Sequence, residues 1–576
     1  MPAVVRNDEV AAALNRIAGL LELAGDEDRF KPISYRRAAR GVESLAEDIE
    51  DLARQGRLDQ IPGVGKSIAA KIKQFLSEGK IDALEALQAP FPPGLIEIMR
   101  IPDIGPKTAR RLYLELRVTS LDELRKAAAE GRLRKLKGFG EKSEQNVLRG
   151  IGIVEGQKGR HLLGIALPIA EQIVEHIRAN ATVDHAAFGG SVRRMREDVG
   201  DVDILATTTD PASATKAFLS FPMVREVVMS GDTKSTAILA VGGERIQVDL
   251  RVVEPRSWGA GLQYFTGNKD HNIKLRTMAL KKGLKLNEYG VFRGEEQVAG
   301  ATEEEVYRTF GLAYIEAEMR EDTGEIEAAA KGELPALVTL RDIKGDLHAH
   351  TNLTDGVNTL EEMAAAAQAR GYEYLGISDH SPYVRVVNGL SEENARIHIA
   401  HIREFSRRSE GIKLLAGTEC DILPNGTMDY PDSLLKEFDY VIGSVHSSFK
   451  MPQKEMTARV VRAMGNEHMD ILAHPTARKI GQREGIALDM EMVTAAAADT
   501  GTVLEINSYP DRMDLNGPHA KLAKDHGAKL IVDTDSHATE QLGFMRLGVG
   551  SARRGWLEKS DVVNTKSYEE ILSFFR

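Results

Sequence analysis

The spacing of hydrophobic and polar positions changes three times along the 576-residue chain. Up to about residue 150, apolar residues recur at helical intervals, and the helices are broken by short turns that resemble one another: IPGVGKSIAAKI from 61, IPDIGPKTARRL from 101 and LKGFGEKSEQNV from 136. From about 160 the pattern is mixed. An apolar helix, LPIAEQIVEHIRAN, leads to a strand, to AFGGSVRRMREDVGDVDILATT, and to a hairpin turning at Gly242–Gly243 whose return strand is ERIQVDLRVV. A further helical stretch covers 266–283, and the charged segment REDTGEIEAAAKGELPALVTLR, 320–341, shows no alternation and reads as the main linker. Beyond it, seven short apolar runs each end in polar residues: IKGDLHAH, YLGISDH, IKLLAGTE, DYVIGSVH, MDILAHP, TVLEINS and AKLIVDTDSH. Apolar strands separated by helical or loop sequence predict a parallel barrel or wound sheet, with its site at the carboxyl ends of the strands.

Each N-terminal turn is an apolar residue, a tight bend ending in glycine, then polar residues opening a helix. Such a bend presents free backbone N–H groups to a phosphate, so Gly63, Gly65, Gly105, Gly138 and Gly140 are candidate contacts to a nucleic-acid backbone. Three copies of this helix-hairpin-helix pattern point to DNA bound without sequence preference. A net charge of −11 at first argues against such a partner, since phosphate contacts need Lys and Arg. The distribution removes the objection: residues 1–150 carry 26 Lys+Arg against 23 Asp+Glu, and residues 331–576 carry 28 against 36. The acidity lies downstream, where multivalent cations need carboxylates.

Two aspartates two apart on one strand share a face, so Asp201 and Asp203 in GDVDIL offer both carboxylates to one point; Asp249 in QVDLR lies on a strand able to pair beside them. Three convergent carboxylates suit two Mg²⁺ ions that activate a hydroxyl and stabilise a leaving phosphate. The preceding GGSVRRMREDV supplies the Gly190–Ser191 turn and the Arg193–Arg194 pair for a triphosphate. The single cysteine, Cys420, excludes a disulfide framework and a cysteine zinc finger, leaving His, Asp and Glu as metal ligands and pointing to a reducing compartment. Neither an N-terminal export signal nor an apolar run of membrane-spanning length is expected, so the protein reads as cytoplasmic, with no membrane partner.

After residue 340, eleven of the fifteen histidines accumulate, and strand ends supply His348, His350, Asp355, His380, Glu419, His446, His474, Asp535 and His537. A lone histidine among these reads as an ordinary core or surface residue, but nine ligand-type residues on one barrel edge read as a metal centre. Mixed imidazole and carboxylate ligands favour Zn²⁺ or Mn²⁺ over Mg²⁺. Clustered dications activate water and neutralise phosphate, so phosphoester hydrolysis is the expected reaction.

G-S-x-R-R followed by G-D-x-D, a third Asp and YFTG resembles the family X DNA polymerases, the group of DNA polymerase beta, over about residues 5–320. The histidine-rich remainder resembles the PHP domain, a distorted seven-stranded barrel with a trinuclear centre, over 340–576. The resemblance implies that Asp201, Asp203 and Asp249 bind two Mg²⁺ or Mn²⁺ ions, Asp249 nearest the primer 3′-hydroxyl. It also implies that Ser191 and Arg194 contact the triphosphate beside Gly190, that Tyr264 and Phe265 exclude a 2′-hydroxyl, and that Gly267 belongs to the same nucleotide site. Asn272 and Arg276 would reach the minor groove of the nascent pair and the template. Lys269 departs from the acidic residue of better-known animal members and brings a cation toward the phosphates. In SYRRAA and PGVGKSIAAKI, Lys71 matches the Schiff-base lysine of a 5′-deoxyribose-phosphate lyase; a phosphate-contacting lysine is the competing reading, and Ser67 replaces a second lysine of that pattern. Arg478 in HPTARKIG is either a phosphate clamp or a solvated arginine.

The expected fold is multidomain, α and α/β: a lyase-like helical domain over 1–82, helix-hairpin-helix over 83–155, a nucleotidyltransferase palm over 156–260, a nascent-base-pair subdomain over 261–320, a linker over 321–340 and a PHP (β/α)7 barrel over 341–576. The expected activity is gap-filling DNA synthesis from dNTPs on gapped or primer–template duplex in base excision repair, by a monomer. The barrel adds 3′-5′ exonuclease, 3′-phosphatase or abasic-site endonuclease activity. Two rival readings are a DNA-binding scaffold whose polymerase half is inactive beside a catalytic barrel, and a barrel whose metals only hold the fold.

Overall fold

The structure is a computed structural model describing the chain apart from residues 1–2, 26–29, 44, 46–48, 100, 102–103, 157–158, 242–243, 384–386 and 576. The proposed hairpin turn at Gly242–Gly243 lies outside the described residues. Two compact units result: Met1–Arg160 with Ala240–Arg245 and Gly481–Glu484, and the remainder.

The first unit is helical, as the 3.6-residue spacing predicts. The helix Lys66–Glu78 buries Ile68 and Ile72, four apart, and Pro106–Leu116 buries Ala109 and Leu112, three apart. Each fully buried aliphatic side chain contributes about 1.5–3 kcal/mol, and the long helix Ala3–Ala24 feeds three cores, giving Leu14 to one, Ile17 to a second and Leu20 and Leu23 to a third. Two turns are left-handed at a glycine, Gly63 at φ 82° and Gly138 at φ 90°, a conformation that costs other residues a Cβ clash. At Gly63 the close approach is real, because a Cβ would lie 2.8 Å from the Ala38 backbone nitrogen.

The second unit opens with a five-stranded sheet in the order His185–Phe188, Val202–Thr207, Glu244–Val253, Lys234–Val241, Val224–Met229. The one parallel pairing described, Val202–Thr207 with Glu244–Val253, sets Asp203 directly opposite Asp249. The helix Leu163–Asn180 covers this sheet with Ile169, Ile173 and Ile177, spaced by one turn. A smaller core around Leu275, Val306, Tyr307 and Ile315 follows. The segment 321–340 is no bare tether: it carries the helix Glu325–Lys331, whose Ile326 and Ala329 join that core, and buried Glu325 accepts the backbone N–H groups of Asp322 and Thr323. Its charges are spent on internal hydrogen bonds that one-dimensional patterning does not reveal.

Seven parallel strands in simple sequential order, from Gly345–Asp346 to Leu530–Asp533, then form the barrel, one from each apolar run. The first and last meet through the parallel bridge Ala349–Ser536, so the sheet closes. The strands are buried on both faces, which is why they read as continuous apolar runs rather than alternating ones. The interior is filled by Leu347, Tyr374, Leu415, Tyr440 and Ile471, with the Tyr440 hydroxyl donating to the Leu347 carbonyl at 2.5 Å.

Candidate active sites

At the palm, register brings Asp203 and Asp249 side by side, with Asp201 at the strand's entrance. Burial, and then the charges of Asp201 and Asp249, push the Asp203 carboxyl up to about 7. Neighbouring carboxylates that repel one another are the donor type a divalent cation takes, so the residues fit a metal in kind. Asp249 accepts the Thr236 hydroxyl at 2.7 Å and pairs with Lys234 at 3.0 Å. Gly190, at φ 60°, lies so near that a Cβ would meet an Asp203 oxygen at 2.3 Å. The Gly189 N–H donates to the Asp203 carbonyl, pinning the Gly190–Ser191 turn to the carboxylate strand.

The arginines of this turn divide. Arg193 forms a bidentate pair with buried Glu303, which Arg320 also holds at 2.6 Å; against burial, the two guanidiniums bring Glu303 down to about 2. Arg194 pairs with Glu321 at 3.0 Å and donates to the Thr266 carbonyl at 2.6 Å. Tyr264 and Phe265 stand edge to face on one helix, and Arg251 lies over the Phe265 ring. Asn272 holds this turn closed, donating to the Tyr264 carbonyl and accepting from Gln263, and its amide oxygen would lie 2.8 Å from a Cβ at Gly267. Lys269 and Arg276 are exposed on the next helix, Lys269–Lys281.

At the barrel mouth the nine predicted ligands converge. Donor atoms of eight of them form three clusters, His350–Asp355–His380–His537, His348–His350–Asp535 and His380–Glu419–His446, which share His350 and His380, and His474 stands against Glu419. Glu419 is central: His348, His350, His380, His446 and His474 lie 3.4, 3.5, 3.1, 3.3 and 3.0 Å from its oxygens. Although burial opposes ionisation, the surrounding histidines hold its carboxyl well below the usual range. Burial favours neutral rings, yet Glu419 lifts His446 to about 9 and Asp355 lifts His537 to about 9, whereas burial and Arg512 drop His474 to about 3. His348 Nε2, both nitrogens of His350 and His380 Nδ1 are buried without a hydrogen-bond partner, which is what metal-directed donors look like. The clusters therefore fit divalent cations, which Glu419 and the surrounding imidazoles would hold. His474 and Asp535 adopt φ 27° and 55°, backbone strain of the kind that persists where surrounding structure fixes a functional side chain.

The chain is 38% identical over 570 residues, 99% of both chains, to the DNA polymerase/3'-5' exonuclease PolX of Bacillus subtilis. It belongs to the family X DNA polymerases that carry a PHP domain. Family models for a helix-hairpin-helix domain match residues 5–81, for a SAM-like helix-hairpin-helix tandem 95–152, for the DNA polymerase beta thumb 261–321 and for the PHP domain 346–508. The barrel region is also 28% identical over 207 residues, 34% of this chain and 81% of the relative, to a probable phosphatase of Acetivibrio thermocellus. A probable phosphatase of Shewanella sediminis is 27% identical over 239 residues, 40% and 92% of the two chains.

Several residues at the barrel mouth carry little signal in sequence. Glu505 buttresses the centre, facing His348 Nδ1 at 2.6 Å and accepting the His474 N–H at 2.5 Å; an acid inside the apolar run TVLEINS was its only trace. Asp421 stands 3.2 Å from His446 in the same way. Arg478 turns away from the cluster, donating to the carbonyls of Arg512 and Met513 and facing Glu197 at 3.7 Å. The guanidinium against the ligand set is that of Arg512, 3.3 Å from Asp535. Lys71 donates to the Ser67 hydroxyl at 3.1 Å and lies over the Tyr35 ring, while the helix entries at Gly65, Gly105 and Gly140 leave nothing within 4 Å of a would-be Cβ. No described helix is long and apolar enough to cross a membrane.

Proposed function

We propose that the chain is a DNA polymerase that fills short gaps during repair and trims 3′ ends at a separate centre in its barrel. The observation that carries the first half is the register that sets Asp203 against Asp249 beside the Gly190–Ser191 turn. Asp201, Asp203 and Asp249 would hold Mg²⁺ or Mn²⁺, which when bound supplies charge neutralisation and hydroxyl activation for phosphoryl transfer. The Gly190–Ser191 turn and Arg194 orient a triphosphate, with Lys269 and Gly267 at its edge and Tyr264–Phe265 along the sugar. Asn272 and Arg276 border the nascent pair and template. The 3′-hydroxyl attacks the α-phosphorus, its proton is lost, and pyrophosphate leaves.

At the barrel, His348, His350, Asp355, His380, Glu419, His446, His474, Asp535 and His537 would hold Zn²⁺ or Mn²⁺ for phosphodiester hydrolysis, with Arg512 rather than Arg478 nearest an incoming phosphate. The glycine turns at Gly63, Gly65, Gly105, Gly138 and Gly140 grip the DNA backbone, and Lys71 is a candidate for removing a 5′-deoxyribose phosphate. Cytoplasmic location, a monomeric state, abasic-site cleavage and lyase chemistry are parts of the same reading.

The test is one gapped duplex assayed for extension and for 3′ degradation. Asp249→Ala abolishes extension and keeps degradation; His350→Ala abolishes degradation and keeps extension in a folded protein. Extension surviving Asp249→Ala would leave the DNA-binding scaffold as the better description, and unfolding of His350→Ala would mark the metals as structural.

A further inference from the structure

The barrel domain reaches the polymerase's nucleotide site through one helix. Met545–Arg554 packs on the turn that follows Ser191, so closely that a Cβ on Gly550 would lie 2.6 Å from the Met195 side chain. Its last residue, Arg554, has a side chain only 4% exposed and is backed by Gly517, where a Cβ would crowd it at 2.7 Å. From there Arg554 Nη1 donates to the Arg194 carbonyl at 3.0 Å and to Glu321 Oε1 at 2.9 Å. That oxygen also receives Arg194 Nε at 3.0 Å. The other Glu321 oxygen receives the Asn268 amide at 3.2 Å and faces Arg196 at 3.6 Å.

Arg194 is thus held by the anion it must leave in order to reach a phosphate. When it leaves, Glu321 becomes a largely desolvated carboxylate beside an incoming polyanion, an arrangement that is costly unless another cation remains in contact. Arg554 is fixed by packing and does not follow Arg194.

We propose that Arg554, supplied by the barrel domain, is a positioning residue for nucleotide binding in the palm: by sharing Glu321 with Arg194 it frees Arg194 for a triphosphate and keeps Glu321 neutralised. The inference rests on the reading of Arg194 as a triphosphate ligand. It makes the nuclease half a structural part of the polymerase half's substrate affinity, through a residue that touches neither substrate.

The test is single-nucleotide gap filling by the full chain with the dNTP titrated. Arg554→Met raises KM for dNTP about tenfold with kcat nearly unchanged, the size of an ordinary coupling between sites, and leaves 3′ degradation of single-stranded DNA at the parental rate. Adding Glu321→Gln to Arg554→Met restores KM, because the competing anion is gone. A parental KM in Arg554→Met, with a raised KM in Arg194→Ala, overturns the role of Arg554 and leaves the reading of Arg194 intact. A parental KM in Arg194→Ala removes that reading instead. Should Arg554→Met fail to fold, Glu321→Gln alone decides: a KM below the parental value supports the inference and an unchanged one overturns it.

Discussion

A single missing methyl group governs the palm. Gly190 occupies φ 60° and leaves an Asp203 oxygen the space that a Cβ would enter at 2.3 Å. Alanine there costs about 1–2 kcal/mol of backbone strain, well within what a domain tolerates, but it displaces Asp203. Gly190→Ala is therefore expected to keep its melting temperature within a few degrees and its 3′ degradation, while gap filling falls on the order of 100-fold, the effect of an ångström-scale misplacement. Parental extension by Gly190→Ala, read on the same preparation, would contradict this account of the turn. The motif GGSVRR marks Gly190 as a candidate phosphate turn, but its contact with Asp203 depends on strand register and is invisible in one dimension. Arg478 and Arg512 make the same point: both are arginines in loops near ligand residues, and only the path of the Arg512–Met513 backbone decides which one faces Asp535.

Between elements, the unit of stability in this region is a carboxylate shared by two arginines. Glu303 opens the helix Glu303–Thr309, Arg193 ends the helix Gly190–Arg193, and Arg320 lies in the turn after Ala317–Met319, so one buried acid ties three segments. Its folded pKa, about 2, is depressed from the ordinary 4.5, so the stabilisation is complete above pH 4.5 and lost as pH falls from there toward 2. The span corresponds to roughly 3 kcal/mol. Glu303→Gln is expected to lower the melting temperature at pH 7, with the deficit against the parent shrinking as pH drops through that window; a deficit independent of pH would assign the loss to packing alone. None of this was readable from TEEEVY or REDTG, because the partners are 110 and 17 residues away. The barrel strands were readable for the opposite reason: burial on both faces writes each one as a local apolar run, and six of the seven runs end in candidate ligands.

At the scale of the molecule, ion pairs and packing join the palm, thumb and barrel into one compact unit. Arg546 pairs with Glu171 at 2.9 Å, Arg553 with Glu318 at 2.7 Å, Leu337 bridges Glu558, and Trp556 packs against the thumb core. Both tryptophans of the chain, Trp258 and Trp556, lie in that unit, so their fluorescence reports its unfolding alone, whereas helical ellipticity also reports the first 160 residues. In an Asp249→Ala protein, where the proposed palm cation site is removed, added Mn²⁺ is expected to act through the barrel. A ligand at 100 times its dissociation constant adds about 2.7 kcal/mol to the state that binds it. If the unit is cooperative, this stabilisation is shared: the tryptophan signal moves up by about 3 °C as a single transition, although Trp258 belongs to the palm side, and the other ellipticity change stays in place. Two resolved tryptophan transitions, only one of them sensitive to Mn²⁺, would show that the barrel unfolds independently and that its contacts with the palm and thumb carry little free energy.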